Sequence, residues 1–427
     1  MSATTATTPS RQPGKKQGGR RQITYPVVLL IIAGALIALS ALRAVTGAAD
    51  LTSSGQYSGA LAAAVPIGLA GLGGLWAERA GIINIGLEGM MMLGSFGAGW
   101  VGWQYGPWWA AVAGIGFGLI GGLIHAVATV TFGVDQIISG VAVNILALGF
   151  TQYLAKLWFG AEGSAAAAAG GNDKQSPPMD NLSAFSIPGL SSGLGAIEKH
   201  DWFLVSDTAG IVRGLVTDVS WLTLIAVGLF VGTFFVLWRS SFGLRLRSCG
   251  ESPVAAESLG VNVYTYKYAA VLVSGGLAGL GGAFIAIGTH FYQDGQTGGR
   301  GYIGLATMIF GNWRPGGVAL GAGLFGFTDS LQLRGGGQTV HALLLLLAVL
   351  LLALALWGMR TGRLKQAIGG GAVAVGLFVW YAFTDTVPVE IVDATPYVAT
   401  LLVLSLSAQR LRPPKAIGKA YRKGQGK

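Results

Sequence analysis

Charged residues are scarce in this sequence. Asp, Glu, Lys and Arg make up 11% of its 427 residues, whereas hydrophobic residues make up 52%. Soluble domains carry about 25% charged residues, and the mean hydropathy here is +0.59. The composition therefore excludes a soluble globular protein and predicts an integral membrane protein. The 70 glycines are typical of closely packed membrane helices.

Residues that carry catalytic or redox chemistry are also few. The single cysteine, Cys249, excludes an intrachain disulfide. The four histidines are widely scattered, without the HExxH spacing of a zinc site. The GxxxxGK[ST] pattern that holds nucleotide phosphates is absent, and no triad or acid pair is placed for catalysis. The sequence thus predicts a chain that is not an enzyme and that holds no metal or cofactor itself.

The net charge of +10 is concentrated at the two ends of the chain. Of the 28 Lys and Arg residues, five lie before residue 22 and seven lie after residue 409. A basic chain can indicate nucleic-acid binding, but bases that flank membrane spans are better explained by the positive-inside rule. We therefore expect no nucleic-acid partner, a multi-pass protein of the cell (plasma) membrane, and two cytoplasmic termini.

Apolar runs of membrane-spanning length follow one another along the chain. A bilayer core of about 30 Å needs about 20 apolar residues, and the runs predict an all-α polytopic protein with about 10–12 transmembrane helices. The predicted segments are a disordered basic tail at 1–25, a first transmembrane half at 27–158, an external loop at 159–218, a second transmembrane half at 219–365 with a cytoplasmic loop at 239–264, an extra transmembrane pair at 366–409, and a basic cytoplasmic tail at 410–427.

One heptapeptide occurs twice. GLAGLGG stands at Gly68–Gly74 and at Gly276–Gly282, and Ile-Gly-Leu follows both copies, at Ile85–Leu87 and at Ile303–Leu305. In the predicted topology the first copy runs inward and the second runs outward. This pair favours an inverted repeat of the kind found in transporters, where the solute path lies between the halves. Chance repetition in a chain rich in Gly, Leu and Ala is the alternative.

Five polar residues inside apolar stretches are candidates for a solute path. Asn84 and Glu88 are four residues apart and would share a helical face. Gln136 and Asn144 are eight apart on the predicted fifth span and suit hydrogen bonding to a neutral polar solute. Asp329 lies near the predicted outer end of a helix. Polar groups at membrane depth suggest function by default, but hydrogen bonds to neighbouring helices would explain them equally well.

The loop at 239–264 contains a short predicted helix. Ser252 can cap its start, Pro253 suits its first position, and Gly260 can end it. Such a helix on the basic side of the membrane is either a docking site for a cytoplasmic partner or an ordinary interfacial helix.

Three stretches together resemble the permease subunits of ATP-binding-cassette importers. They are ERAGIINIGLEGMMMLGSF, GESPVAAESLGVNVYTYKYAAVLVSGGLAGLGGAF and GRGYIGLATMIFGNWRPGG. The resemblance covers roughly residues 58–360 and is nearest to the nucleoside-type branch, which is related to the permeases for simple sugars and branched-chain amino acids. The long segment at 160–218 and the spans beyond residue 366 depart from the pattern of that family.

The resemblance implies a complex of several proteins. Two permease chains would pair, either two copies of this chain or this chain with a relative. Separate cytoplasmic subunits would bind ATP, and an external lipoprotein would deliver the solute. The loop at 239–264 would be the coupling loop, in contact with the ATPase. The implied coupling residues are Gly250, Glu251, Ser252, Ala255, Ala256 and Gly260.

The sequence therefore favours a permease for a small polar solute, with nucleosides favoured by the resemblance. A monosaccharide permease and an ion-coupled secondary transporter stay open as alternatives. A membrane scaffold that transports nothing is a third possibility.

Overall fold

The fold is almost entirely helical. The computed structural model describes residues 25–334, 336–407 and 411–424, so the predicted tail at 1–25 lies outside the described residues except for its last residue. The helices are α1 (Tyr25–Thr46), α2 (Ser54–Arg79), α3 (Leu87–Tyr105), α4 (Pro107–Ala126), α5 (Gln136–Trp158), α6 (Ala165–Ala168), α7 (Leu190–Glu198), α8 (Val205–Val216), α9 (Trp221–Arg239), α10 (Ser241–Glu251), α11 (Pro253–Ser258), α12 (Val263–Thr289), α13 (Arg300–Phe310), α14 (Pro315–Leu333), α15 (Gly337–Arg360), α16 (Leu364–Phe383) and α17 (Val389–Ser407).

Short irregular elements complete the fold. A 3-10 turn covers Ala49–Leu51, and a π-helical turn at Val127–Thr131 extends α4. The strands β1 (Ala184–Phe185) and β2 (Val219–Ser220) pair antiparallel and join the middle of the long segment between α5 and α9 to its last residues.

Local sequence signals fix where several helices begin. The side chains of Ser53, Asp135 and Asn262 accept hydrogen bonds from backbone N–H groups in the first turns of α2, α5 and α12, as helix-capping residues do. Pro107 and Pro315 begin α4 and α14, where the missing N–H of proline costs nothing. The chain breaks between two short helices, because α13 ends at Phe310 and α14 starts at Pro315.

Seven of the described helices are long and apolar enough to cross a membrane. They are α2, α4 with its π turn, α5, α9, α12, α15 and α16. This confirms an all-α polytopic membrane protein. Seven, counted over the described residues, is fewer than the predicted 10–12. Helices α3 and α14 contain several glycines, which lower their mean hydropathy, and α13, with only 11 residues, is short for a membrane span.

The two GLAGLGG copies lie side by side on α2 and α12. A β-carbon at Gly73 would lie 2.6 Å from the carbonyl oxygen of Ser274, and one at Gly281 would lie 3.0 Å from the carbonyl oxygen of Pro66. Gly73 on α2 contacts Ser274 on α12, and the earlier residue Pro66 on α2 contacts the later residue Gly281 on α12, so the two helices are antiparallel. The geometry is the one that an inverted repeat predicts.

Each repeated helix packs into the other half of the chain. Helix α12 packs against α3 and α4, whereas α2 packs against α13 and α14. Glycines make both contacts close: a β-carbon at Gly122 would lie 2.9 Å from the carbonyl oxygen of Val271, and one at Gly71 would lie 2.7 Å from that of Gly304. Small residues allow such close approach between membrane helices. Because α2 packs against the second half of the chain and α12 packs against the first half, the two halves form one core.

The described part of the C-terminal tail packs against the predicted coupling loop. Within residues 411–424, the N–H of Ala416 donates to the carbonyl of Gly250 (2.9 Å), and the N–H of Gly418 donates to the carbonyl of Gly81 (3.3 Å). The tail thus connects the coupling loop to the turn that follows α2.

Candidate functional site

The chain between α2 and α3 is not helical, although it is buried. Unbonded backbone groups are costly in a bilayer, so irregular backbone there must be bonded within the protein. Gln136 Oε1 accepts the N–H of Ile83 (2.6 Å), and His125 Nε2 lies 3.0 Å from the carbonyl oxygen of Ile83. Gln136 therefore fixes the backbone of this segment.

Asn84 belongs to the same non-helical segment. Its Nδ2 donates to Ser274 Oγ on α12 (2.8 Å), and its Oδ1 accepts the N–H of Gly86 (3.1 Å). The prediction that Asn84 and Glu88 share a helical face is wrong, because α3 begins only at Leu87. Gly81, at φ +85°, reverses the chain after α2, which is a conformation that favours glycine.

Glu88 joins the starts of α3 and α13. Its Oε1 accepts hydrogen bonds from Thr297 Oγ1 (2.6 Å) and the N–H of Gly299 (3.0 Å), and its Oε2 accepts the N–H of Gly301 (2.7 Å). A negative charge is favoured at a helix N-terminus, and Glu88 lies at two of them. Glu88 therefore connects the two halves of the repeat.

Asn144 on α5 bonds to both of these helix starts. Its Oδ1 accepts the N–H of Gly89 (2.8 Å), and its Nδ2 donates to the carbonyl of Ile85 (3.1 Å) and to Tyr302 Oη (3.0 Å). The structure thus brings four of the five predicted residues together around the start of α3. Their polar atoms bond to protein, which is the alternative that the sequence left open, except for Gln136 Nε2, which is buried without a hydrogen-bond partner among the described residues.

Asp329 lies apart from that cluster, on a cavity of about 450 Å³. Helix α2, the end of α12, the start of α13 and the end of α14 enclose the cavity. It lies at the opposite end of α12 from the coupling loop. The lining residues are Gly59, Ala62, Ala63, Pro66, Phe284, Ile285, Gly288, Thr289, Phe291, Gln293, Gln296, Arg300, Asp329 and Leu333.

An ion pair forms the polar wall of this cavity. Arg300 donates to Asp329 Oδ2 from Nη2 (2.8 Å) and Nε (3.2 Å), and its Nη1 donates to the carbonyl of Gln296 (3.2 Å). The side chains of Arg300 and Asp329 are 19% and 12% exposed, so the pair is open to a solute in the cavity. Sequence reasoning missed Arg300 and Gln296, although an ionisable residue at the start of an apolar helix is itself a signal.

The opposite wall is mainly apolar and has one backbone acceptor. Pro66 lies inside α2 and cannot donate to the carbonyl of Ala62. Both residues line the cavity, beside Phe284 and Phe291. The cavity thus combines a charge pair, amide side chains, a released carbonyl and aromatic rings. This set suits a small solute that has polar groups and an apolar face.

The coupling loop folds as two helices, α10 and α11. Pro253 occupies the first position of α11, and Gly260, at φ +82°, follows its end as predicted. The predicted cap is wrong in one respect, since the side chain of Ser252 makes no capping hydrogen bond.

The predicted coupling residues of this loop fall into two groups, one exposed and one buried. Glu251, Ser252, Ala255 and Gly260 are exposed, together with Leu259, whereas Gly250 and Ala256 are buried. Buried residues can position the loop but cannot touch a partner.

Comparison with known proteins agrees with this architecture. Residues 56–356 match the family described as the permease component of branched-chain amino acid transport systems. The chain belongs to this permease family. It is therefore a subunit of a transporter and a multi-pass membrane protein. Permeases of this kind work with ATPase and substrate-binding partners, and the family is not one of enzymes.

Several characterised permeases are similar to this one. The guanosine ABC transporter permease protein NupQ of Bacillus subtilis is 37% identical over 64% of this chain and 80% of its own length. The nucleoside ABC transporter permease protein NupC of Lactococcus lactis is 30% identical over 84% and 94%. The putative glucose ABC transporter permease protein TsgC13 of Haloferax volcanii is 29% identical over 86% and 98%. No solved structure matches the permease.

Proposed function

We propose that this permease moves nucleosides across the plasma membrane and that ATP hydrolysis on separate subunits drives it. The observation that carries the proposal is the cavity with the Arg300–Asp329 pair, on a chain whose relatives include permeases named for guanosine and nucleosides. In this proposal the chain has no catalytic activity and binds no cofactor, and ATP is bound by its partners.

The chemistry of the cavity fits a nucleoside. Both hydrogen bonds from Arg300 use Oδ2 of Asp329, and among the described residues Oδ1 accepts none, so it is available to a ribose hydroxyl. Gln293 can bond to the edge of a base, and Phe284 and Phe291 offer aromatic faces to its plane, whereas the amide of Gln296 already bonds to Ser95 and Thr289. Asp329 is thus the predicted residue that we assign to solute contact.

The other four predicted residues have a positioning role in this proposal. Glu88 bonds to Thr297, Gly299 and Gly301, which lie next to Arg300 in the chain. A change at Glu88 would therefore move the polar wall of the cavity. Asn84, Gln136 and Asn144 position the segment before α3 and the start of α3, where Glu88 lies.

A monosaccharide is the second candidate solute, since two relatives are named for glucose. A sugar would use the same ion pair and amides. It has no planar base to place against the phenylalanine rings, so the apolar wall favours the nucleoside.

The partner surface for the ATPase is assigned to the coupling loop. Glu251, Ser252, Ala255 and Gly260 are exposed there, and Leu259 is 84% exposed on the same loop. Exposed apolar residues rimmed by polar ones are typical of interaction sites. In this proposal the C-terminal tail lies in the cytoplasm, because it packs against the same loop, and the N-terminus is assigned to the same side. A second permease chain and an external solute-binding lipoprotein complete the proposed importer.

ATP depletion should abolish uptake through this permease when ion gradients are clamped, because the described chain forms a path but the energy comes from its partners. The measurement is uptake of labelled guanosine by cells whose ATP and membrane potential are set independently. Collapse of the gradients at constant ATP is the matched control and should leave initial rates nearly unchanged. Uptake that follows the ion gradient and ignores ATP would identify a secondary transporter.

A further inference from the structure

Helix α8 has its polar side inward and its apolar side outward. The buried residues are Ser206, Asp207, Ala209, Gly210 and Gly214. Val205, Val212 and Leu215 are 51%, 38% and 44% exposed. A helix that faces water on a soluble protein shows the reverse arrangement. The outer surface of α8 therefore suits an apolar environment.

Polar contacts hold this helix against the end of α1 and the start of α2. Arg43, in the last turn of α1, forms an ion pair with Asp207 (3.0 Å), and Thr52 Oγ1 donates to the same carboxylate (2.6 Å). On α7, the carboxylate of Glu198 accepts the N–H of Ser54 at the start of α2 (2.9 Å). Because α1 ends and α2 begins here, α7 and α8 lie level with the boundary of the bilayer.

Two aromatic residues continue the apolar surface before α8. Trp202 and Phe203 are 56% and 55% exposed. They stand between Asp201 (φ +53°) and Leu204 (φ +64°), which are in the left-handed region. That region is unfavourable for a bulky side chain such as leucine, and a second ion pair from Arg43 to Asp201 (3.0 Å) fixes the turn. The fold thus holds the two rings outward in a strained conformation.

We propose that α8 and the Trp202–Phe203 turn lie in the headgroup region of the bilayer leaflet on that side, with lipid covering their apolar surface. The surface continues into a helix long and apolar enough to cross the membrane, since Leu215 is followed after a short link by the exposed Trp221 that begins α9. Tryptophan is enriched at this depth. The predicted external loop at 159–218 would then be partly an interfacial anchor and not wholly a solvated loop.

Spin-label accessibility in vesicles tests this placement. The full-length permease carries one native cysteine, which is buried, so Cys249→Ala gives a clean background. A label is placed by Val212→Cys on α8, with Lys174→Cys, in the exposed loop beyond the end of α12, as the aqueous control and Val227→Cys as the lipid-facing reference on α9. Each variant is reconstituted in vesicles of phosphatidylcholine and phosphatidylglycerol. Relaxation enhancement is then measured with oxygen, which concentrates in lipid, and with a nickel chelate, which stays in water.

The label at residue 212 should show an oxygen-to-nickel ratio several-fold above that at residue 174 and below that at residue 227. Its depth should be about 5–10 Å below the headgroups, as for interfacial helices. A ratio equal to that at residue 174 would place α8 in water and overturn the proposal. Low accessibility to both reagents would also overturn it, because a second permease copy would then cover the surface. Thermal unfolding of each variant checks that the fold is kept.

Discussion

Replacement of Asp329 by asparagine should reduce solute uptake by about 10- to 100-fold. Asparagine keeps the shape of the side chain but removes the charge that faces Arg300. Hydrogen bonds to charged groups contribute about 1.5–3 kcal/mol, and each 1.4 kcal/mol changes an equilibrium constant about tenfold. The lower end of this range is expected if solvent reaches the pair, since both side chains are partly exposed. The measurement is the initial rate of guanosine uptake, normalised to the amount of permease in the membrane.

Asp385→Asn is the matched control for this prediction. Asp385 is an exposed carboxylate, and its loop lies at the same end of the bundle, since the N–H of Val387 donates to the carbonyl of Gly337 at the start of α15 (3.3 Å). This variant should transport like the unmodified chain. If Asp329→Asn also transported normally at an equal amount of protein, Asp329 would not contact the solute. Arg300→Gln, which leaves Asp329 unpaired, should show a loss of similar size.

Glu88→Ala should destabilise the permease by about 3 kcal/mol or more. The change leaves three donors without their acceptor: the hydroxyl of Thr297 and the N–H groups of Gly299 and Gly301. Each buried donor left unsatisfied costs about 1–3 kcal/mol, and these losses occur where the two halves meet. The measurement is the thermal unfolding midpoint of the purified protein, together with its folded yield.

Glu88→Gln distinguishes a positioning role from solute contact. Glutamine is neutral, like alanine, but its amide has one acceptor oxygen where the carboxylate has two. Glu88→Gln should therefore recover part of the stability that Glu88→Ala loses. Glu162→Ala, at an exposed carboxylate outside the membrane helices, is the control and should unfold like the parent. Lost uptake at an unchanged unfolding midpoint would contradict the account, because Glu88 would then act on the solute and not on the fold.

The sequence predicted the broad architecture because its signals are local or periodic. Apolar runs identify membrane helices, and Pro315 identifies the break between α13 and α14. The repeated heptapeptide also predicted an antiparallel pair, and the close contact of Gly73 with Ser274 agrees with it. These features depend on residues near one another in the chain, so they can be read without the structure.

The candidate site was harder to predict because its contacts are distant in sequence. Glu88 bonds to residues more than 200 positions later, and no local pattern shows whether a buried carboxylate faces a solute or a helix end. Arg300 could have been noticed as a charge at the start of an apolar helix, but its pairing with Asp329 depends on how α13 packs against α14. The orientation of α8 was likewise invisible, because its polar residues resemble those of a solvated loop.

Uptake of labelled guanosine and labelled glucose, by cells with and without this gene, tests the central claim most directly. The host should lack its other nucleoside importers, so that no second system masks the loss. We expect deletion to abolish guanosine uptake and to leave glucose uptake unchanged, with recovery when the intact gene is restored. Loss of glucose uptake with guanosine uptake intact would contradict the assignment and would identify a monosaccharide permease.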